Sequence, residues 1–137
     1  KTYTIDFDMY VTHASAGNTF SIKTADGSES VNINAFPDSI RFDGGQEMNN
    51  AAIYRGDWLN RWVSVRIVMH VDAPDKSWFR FYIDGEETFD TNGRPIDHNF
   101  ANRGGYIKVG TYRGNSSQTA SVSFRDIVFS KGDLGSP

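Results

Sequence analysis

The 137-residue chain contains no cysteine, which excludes a disulfide framework, a thiolate metal site and a cysteine nucleophile. No apolar run approaches the ~20 residues of a membrane span, and no secretory leader pattern opens the chain. Positive charge is scarce as well, since the net charge of -3 and the pI of about 5.5 exclude the overall basic field of a nucleic-acid-binding protein. We therefore expect no nucleic-acid or membrane partner, and any cationic site must be local.

The length suits one domain with a substantial core, but it leaves no room for separate catalytic and binding domains. We predict a single domain over residues 1–131 and a linker stub over residues 132–137, where the sequence is Gly-Asp-Leu-Gly-Ser-Pro. Because the chain begins at Lys1 rather than Met, it has the character of a processed or excised piece. We expect a secreted, monomeric module that is tethered to a catalytic module in a parent protein.

Amphipathic-helix spacing is also absent, whereas apolar and polar residues alternate with a period of two from end to end. Asp-Gly pairs at 26–27 and 84–85 predict tight hairpin turns, because both residues tolerate positive φ. About ten short strands separated by such turns predict an all-β fold, a two-sheet antiparallel sandwich or jelly roll. In the longest run, 61–71, strand parity places Val65 towards the core, and in 77–83 it does the same for Phe81.

The predicted strand over residues 105–112 has the most informative alternation of apolar and polar side chains. Ile107 and Val109 lie on one face and predict a core contact, while Tyr106, Lys108 and Tyr112 lie on the other. Aromatic rings stack on sugar rings, and an ammonium group can meet a carboxylate or sulfate. The polar face therefore indicates a carbohydrate ligand, including an acidic one, although the same alternation is common on strands that only face solvent.

Further candidates for ligand binding come from aromatic and cationic residues elsewhere. Trp58 lies in a polar segment and is a candidate for an exposed stacking ring, whereas Trp62 is expected to pack at the edge of the sandwich. A second outward row consists of Trp78, Arg80 and Tyr82, beside Arg66 and His70. It is a local cationic and aromatic surface if it does not lie on the convex sheet. The complete predicted ligand-binding set is Tyr106, Lys108, Tyr112, Arg66, Arg80, Trp58, Trp78 and Tyr82.

Three segments carry a resemblance to a known superfamily: TIDFDMYV at 4–11, WVSVRI at 62–67 followed by FYIDGE at 81–86, and FRDIVF at 124–129. They resemble the concanavalin A-like lectin/glucanase superfamily, in particular its laminin G-like and carbohydrate-binding members. The strand YIKVGTYR at 106–113 is similar to the Tyr-Phe-Lys-x-Gly-x-Tyr strand of the jelly-roll polysaccharide lyases, which include alginate lyases. That similarity implies a place on the concave sheet and a part in proton transfer for Tyr106.

A lyase acting on uronates must neutralise a carboxylate, remove the C5 proton and protonate the leaving oxygen. If the chain is such an enzyme, the candidate catalytic residues are Tyr106, His70, Lys108 and Arg66. The Arg-x-Glu-Leu-Arg and Gln-x-His strands of these lyases are missing, because Val68 stands two residues before His70 where Gln is expected. The Glu-x-Asp-x-x-Glu strand of the hydrolases is missing too, which excludes a glucanase. We expect Asp6 and Asp8 to pair with basic residues on a neighbouring strand.

The main interpretation is therefore a lectin-like, non-catalytic polysaccharide-binding module that uses stacked aromatic rings with Arg and Lys contacts. The alternative is a small jelly-roll lyase that cleaves uronate polymers by β-elimination, and a further alternative is an adhesin or phage-particle interaction domain. No cofactor is expected to be required. Acidic turns offer ligands for a structural Ca²⁺ without fixing which residues would bind it: Asp72, Asp75, Asp84, Asp90 and Asp97.

Overall fold

The computed structural model describes residues 1–12, 17–45, 48–101, 104–112 and 121–137, with the backbone alone at residues 17, 18 and 110–112. These described residues form ten strands: β1 (Thr2–Val11), β2 (Gly17–Thr24), β3 (Ser30–Phe36), β4 (Ser39–Asp43), β5 (Ala51–Arg55), β6 (Trp62–His70), β7 (Trp78–Ile83), β8 (Glu86–Asp90), β9 (Gly105–Tyr112) and β10 (Val122–Lys131). None of the described segments is a helix long and apolar enough to cross a membrane. The predicted all-β class is confirmed.

The strands form two antiparallel sheets of five strands each. The first sheet has the order β10-β1-β6-β7-β8, and the second sheet has the order β5-β4-β3-β2-β9. The hairpin of β2 with β3 and the three-strand meander of β6, β7 and β8 join strands that follow one another in the chain. The pairs of β1 with β6 and of β2 with β9 instead join distant segments. The predicted two-sheet sandwich is therefore confirmed.

Aromatic side chains from both sheets meet in the core. Phe7 on β1 stacks on Phe20 on β2, with ring centroids 4.7 Å apart. Phe42 on β4 packs between Phe79 and Phe81 on β7, at centroid distances of 5.0 and 5.1 Å. Because each contact spans the space between the sheets, these rings join the two layers and keep their outer faces apart.

The predicted turn at 84–85 has the backbone that its sequence favours. Asp84 has φ of 52° and Gly85 has φ of 88°, as a two-residue hairpin turn of the mirror-image type requires. The carboxylate of Asp84 also accepts the backbone N–H of Ser64 at 3.1 Å and a hydrogen bond from Arg61 at 2.8 Å. This turn therefore ties β7 and β8 to the start of β6.

The sandwich is open along the edge formed by β9 and β10. Val109 and Phe129 are directed towards the space between the sheets, yet both remain about half exposed. A groove of about 390 Å³ opens there, with Tyr3, Ile107 and Phe129 in its wall. The inner face predicted for Ile107 and Val109 is thus the observed one, although Val109 is only partly buried.

Residues 132–137, which we call the C-terminal strap, cross the outer face of the first sheet. The N–H of Gly132 donates to the carbonyl oxygen of Thr2 at 2.8 Å, and the hydroxyl of Thr4 donates to the carbonyl oxygen of Gly132 at 2.7 Å. Thr4 and Val68 are fully buried although strand parity directs both away from the core. The strap therefore packs against the sheet, and the predicted domain boundary before it stays a prediction.

Candidate functional site

The structure divides the predicted ligand-binding residues between two opposite surfaces. Tyr106 and Lys108 lie on the outer face of the second sheet, on β9. Arg66 on β6 and Arg80 on β7 lie on the outer face of the first sheet. Since the core separates these faces, no single ligand binding one face can contact all four side chains. The predicted ligand-binding set therefore does not form one surface.

The cations of the first sheet are already neutralised by carboxylates of the chain. Arg66 donates from Nε and Nη2 to the two carboxylate oxygens of Asp6, at 2.7 and 3.0 Å. Arg80 donates from Nη2 to both carboxylate oxygens of Asp133 in the strap, at 2.7 Å each. The hydrogen bonds that Arg66 donates to Asp6 raise the pKa of Arg66, and those that Arg80 donates to Asp133 raise the pKa of Arg80. These arginines therefore serve the fold and are not open cation sites.

The expected pairing of Asp6 and Asp8 with basic residues of neighbouring strands is confirmed. Asp6 binds Arg66 on β6, and Asp8 accepts from Nε of Arg125 on β10 at 3.0 Å. Arg125 also lies over the ring of Trp62, with 4.0 Å from its guanidinium carbon to the ring centroid. Trp62 thus packs at the rim of the sandwich, as expected.

The aromatic row of the first sheet does not form a free platform. Tyr82 is only 6% exposed, and its hydroxyl accepts a hydrogen bond from Nε of Arg80 at 2.8 Å. Trp78 stacks on His70, with ring centroids 5.9 Å apart. Because His70 and Arg66 lie on this sheet, neither can join Tyr106 in one active site, and their conditional assignment as catalytic residues is wrong.

Trp58 is also corrected, because it is 1% exposed and belongs to the core. The segment between β5 and β6 turns its indole ring inward while Asp57 and Asn60 remain nearer the surface. Its indole N–H has no hydrogen-bond acceptor among the residues that the structure describes. The polar neighbours of Trp58 therefore misled the prediction of an exposed ring, since one large side chain can fill the end of a sandwich whatever flanks it.

The outer face of the second sheet brings Tyr106 together with two lysines. Tyr106 on β9 lies directly opposite Lys23 on β2, and Lys108 follows two residues along the same face of β9. Directly opposite residues in antiparallel strands have Cβ atoms about 4.5–5.5 Å apart. Tyr106 is 45% exposed, and neither lysine forms an ion pair with the described part of the chain. This set, Tyr106, Lys23 and Lys108, is the candidate functional site.

A polar row continues from Lys108 across the sheet. The strand register places Lys108 opposite Ser21, Ser21 opposite Asn32, and Asn32 opposite Asp43 on β4. The Ser21 hydroxyl donates to Oδ1 of Asn32 at 2.7 Å. In the next row, Nδ2 of Asn34 donates to Oδ1 of Asn50 at 2.8 Å.

The sequence-based prediction did not include Lys23, Ser21, Asn32 or Asp43. Their alternation with the buried residues Ile22, Val31 and Ile33 was a signal that they face outward, but only the pairing of β2 with β9 places them beside Tyr106. The side chain of Tyr112 lies outside the described residues, and only the register of its backbone, opposite Asn18, is observed.

The described residues contain no group of three or more His, Asp or Glu side chains arranged to hold a metal ion. Two of the acidic turn residues instead accept backbone N–H groups in their own turns, Asp72 from Ala73 and Asp90 from Asn92, both at 2.7 Å. Carboxylates in this arrangement stabilise the turns that contain them. A structural Ca²⁺ stays a prediction.

No known protein family matches the chain by sequence, and no curated protein does either. Solved structures do match its fold. A mutant of alginate lyase Aly36B with a lysine and a tyrosine replaced by alanine, in complex with alginate tetrasaccharide, is 12% identical, with a TM-score of 0.67 over 98% of this chain and 71% of that one. A mutant of the same lyase with a lysine and a methionine replaced by alanine, in complex with alginate trisaccharide, is 11% identical. Its TM-score is 0.56 over 94% of this chain and 68% of that one.

These similarities agree with the predicted jelly-roll sandwich and correct the main functional interpretation. The chain was expected to be a non-catalytic binding module, but the solved structures that it resembles are polysaccharide lyases. The finding therefore favours the lyase alternative over the binding module. At this level of identity the likeness itself establishes the fold and not the reaction.

Proposed function

We propose that this chain is a small polysaccharide lyase that cleaves uronate polymers by β-elimination on the outer face of the second sheet. The observation that carries the proposal is the exposed Tyr106 flanked by Lys23 and Lys108, on a fold shared with alginate lyases. We also propose that the enzyme acts outside the cell, where such polymers occur.

The reaction needs three actions on one sugar unit. A positive charge near the uronate carboxylate stabilises the negative charge that builds up there when the C5 proton leaves. A base takes that proton, the C4–O4 bond breaks, and its oxygen takes a proton from an acid while a C4–C5 double bond forms. The ammonium groups of Lys23 and Lys108 supply the charge, and the Tyr106 oxygen is the group that takes the C5 proton and passes it to the leaving O4.

The geometry of the site supports this division of roles. Tyr106 lies opposite Lys23 and two residues from Lys108, so the three side chains leave the same face of the sheet at neighbouring positions. No carboxylate of the described residues neutralises either lysine, in contrast to Arg66 and Arg80 on the other sheet. A substrate carboxylate is therefore the natural counter-ion for the site.

The neighbouring structures add a second line of support. In the alginate tetrasaccharide complex, the two residues replaced by alanine are a lysine and a tyrosine. This chain presents the same two residue types in its candidate site, Tyr106 with Lys23 and Lys108. We therefore include alginate among the first polymers to test.

The test is incubation of the protein with alginate, polygalacturonate and neutral glucan while absorbance near 235 nm is followed. We expect absorbance to grow with a uronate polymer and not with the neutral one. Tyr106→Phe, which keeps the ring and removes the hydroxyl, should lower kcat by about 10²-fold or more. Lys108→Ala should lower kcat/KM, because the carboxylate loses a charged partner.

Two control variants match these changes on other surfaces. Tyr10→Phe removes a hydroxyl from the first sheet, and Lys76→Ala removes one positive charge from an exposed loop. Both should retain the activity of the parent protein. The proposal fails if no uronate polymer yields unsaturated product, or if Tyr106→Phe is as active as Tyr10→Phe.

A further inference from the structure

The polar row on the second sheet has opposite charges at its two ends. It begins at Lys108 on β9 and passes through Ser21 and Asn32 to Asp43 on β4. Neighbouring strands lie about 4.8 Å apart, so the row spans roughly 14 Å. This length exceeds one pyranose ring, and a polymer lying across the strands would place different sugar units at the two ends.

Asn32 is held in one orientation within this row. The hydroxyl of Ser21, which is itself buried, donates to Oδ1 of Asn32 at 2.7 Å. An amide whose oxygen is directed to β2 has its two N–H donors on the other end. Those donors therefore lie away from β2, on the side where Asp43 lies.

Asp43 has unused acceptor capacity beside that amide. Its Oδ1 accepts the backbone N–H of Gly45 at 3.3 Å, and its side chain is half-buried on the outer face, since Ile40 and Phe42 of the same strand face the core. It forms no ion pair with a described residue. A carboxylate left without a cation at a site for an acidic polymer would by itself repel that polymer.

A sugar hydroxyl accounts for this arrangement. A hydroxyl group donates one hydrogen bond and accepts others, so it can donate to a carboxylate while it accepts from an amide N–H. We propose that Asp43 and Asn32 form a hydroxyl-binding subsite, which binds the sugar unit next to the one whose carboxylate lies at Lys108. The subsite fixes the direction in which the polymer lies across the sheet.

Ser21 acts as a positioning residue in this subsite. Its hydroxyl holds the Asn32 amide so that the N–H donors, not the oxygen, are presented beside Asp43. Ser21→Ala would leave the amide free to rotate, whereas Ser21→Thr would keep a hydroxyl on a residue type that strands favour. Rescue by Thr therefore separates positioning from simple packing.

The inference rests on the proposed function in one respect, namely that the polymer binds this face. It is tested with Asp43→Ala, measuring both the Kd for alginate and the KM and kcat for its cleavage, with Glu86→Ala on the first sheet as the control for net charge. We expect Asp43→Ala to raise Kd and KM by about tenfold with kcat unchanged, since a charged hydrogen bond is lost from binding alone. Glu86→Ala should leave Kd and KM as in the parent.

The sign of the effect separates the alternatives. If Asp43 only repels a polyanion, Asp43→Ala will bind alginate more tightly than the parent, and the inference is wrong. Equal affinity, or a tenfold loss in Ser21→Ala that Ser21→Thr does not restore, would also contradict it. If the parent binds alginate but gives no unsaturated product, the proposed function fails while the affinities of the variants still decide the inference. If it binds no uronate polymer, both fail.

Discussion

At the scale of single residues, Phe81 shows how the two layers depend on each other. Its ring is fully buried and lies 5.1 Å from Phe42 of the opposite sheet and 6.2 Å from Phe89 of the neighbouring strand. Val65, on the adjacent strand β6, faces the same core. Removal of either side chain leaves a cavity that both sheets would have to fill.

We expect Phe81→Ala to lower the free energy of unfolding by about 3–5 kcal/mol and Val65→Ala by roughly 1–3 kcal/mol, through lost burial and cavity formation. Denaturant unfolding followed by tryptophan fluorescence measures both. Ser123→Ala, at an exposed position of β10, is the control and should change stability by less than about 0.5 kcal/mol. Unchanged midpoints for both core variants would contradict the observed strand parity.

Strand parity made the burial of Val65 and Phe81 predictable. Its limits explain why the burial of Trp58 and Val68 was not predicted. Val65 and Phe81 alternate with polar neighbours, so their direction follows from the period of a strand. Trp58 lies outside any strand, where no periodicity fixes the direction of a side chain. Val68 has outward parity, yet it is buried, and the C-terminal strap crosses this face at Thr4 and Arg80, the residues opposite Val68 on the neighbouring strands.

At the scale of elements, the strap is held by one ion pair and a few backbone contacts. The Arg80 hydrogen bonds, and then the N–H of Gly135, lower the pKa of Asp133 below its ordinary value. A carboxyl group whose pKa is lower in the folded state stabilises the fold above the ordinary Asp pKa, and that contribution is lost as pH falls through the lowered pKa. The strap contacts should therefore weaken in acid.

We expect Asp133→Asn to be less stable than the parent at pH 7 by under about 1 kcal/mol, because the pair is partly exposed to solvent. The difference should shrink as pH falls below the ordinary Asp pKa of about 4 and through the lowered pKa of Asp133, where the folded parent also loses the charge. Urea unfolding of both proteins at a series of pH values measures this. A difference that grows in acid would be inconsistent with the ion pair.

Removal of residues 132–137 is the larger change to the same element. It uncovers Thr4 and Val68, and the apolar surface exposed at Val68 should lower the free energy of unfolding by about 1–3 kcal/mol. The candidate site lies on the opposite sheet, so binding of alginate should be unaffected. Loss of binding in a truncated protein that remains folded would show that the two faces are coupled.

The strands and hairpins were predictable because their signals are local, whereas the site was predictable only in part. Alternation along β9 placed Tyr106 and Lys108 on one outer face, as observed. The assignment of Arg66 and Arg80 to the same surface failed, because sheet membership depends on pairing between distant segments. The pairing of β9 with β2, which adds Lys23 to the site, joins residues more than eighty positions apart. The sequence of either strand alone does not indicate this pairing.

At the scale of the whole molecule, a net charge of -3 coexists with a cationic site because the cations of the two sheets differ in their partners. On the first sheet, Arg66 and Arg80 are neutralised by Asp6 and Asp133. On the second sheet, Lys23 and Lys108 have no such partner among the described residues. An acidic polymer should therefore be attracted to one face of a protein whose overall charge repels it.

Salt screening tests whether the two lysines attract the polymer. Between ~50 and ~500 mM salt the Debye length falls from roughly 14 to 4 Å, so binding of alginate should weaken steeply over that range. Lys108→Ala and Lys23→Ala should each flatten the dependence measured by affinity electrophoresis. Arg125→Ala, which removes a charge from the first sheet, should not. Binding that is indifferent to salt, or stronger for neutral glucan, would mean that the lysines do not bind the substrate carboxylate, while stacking on Tyr106 could still contribute to affinity.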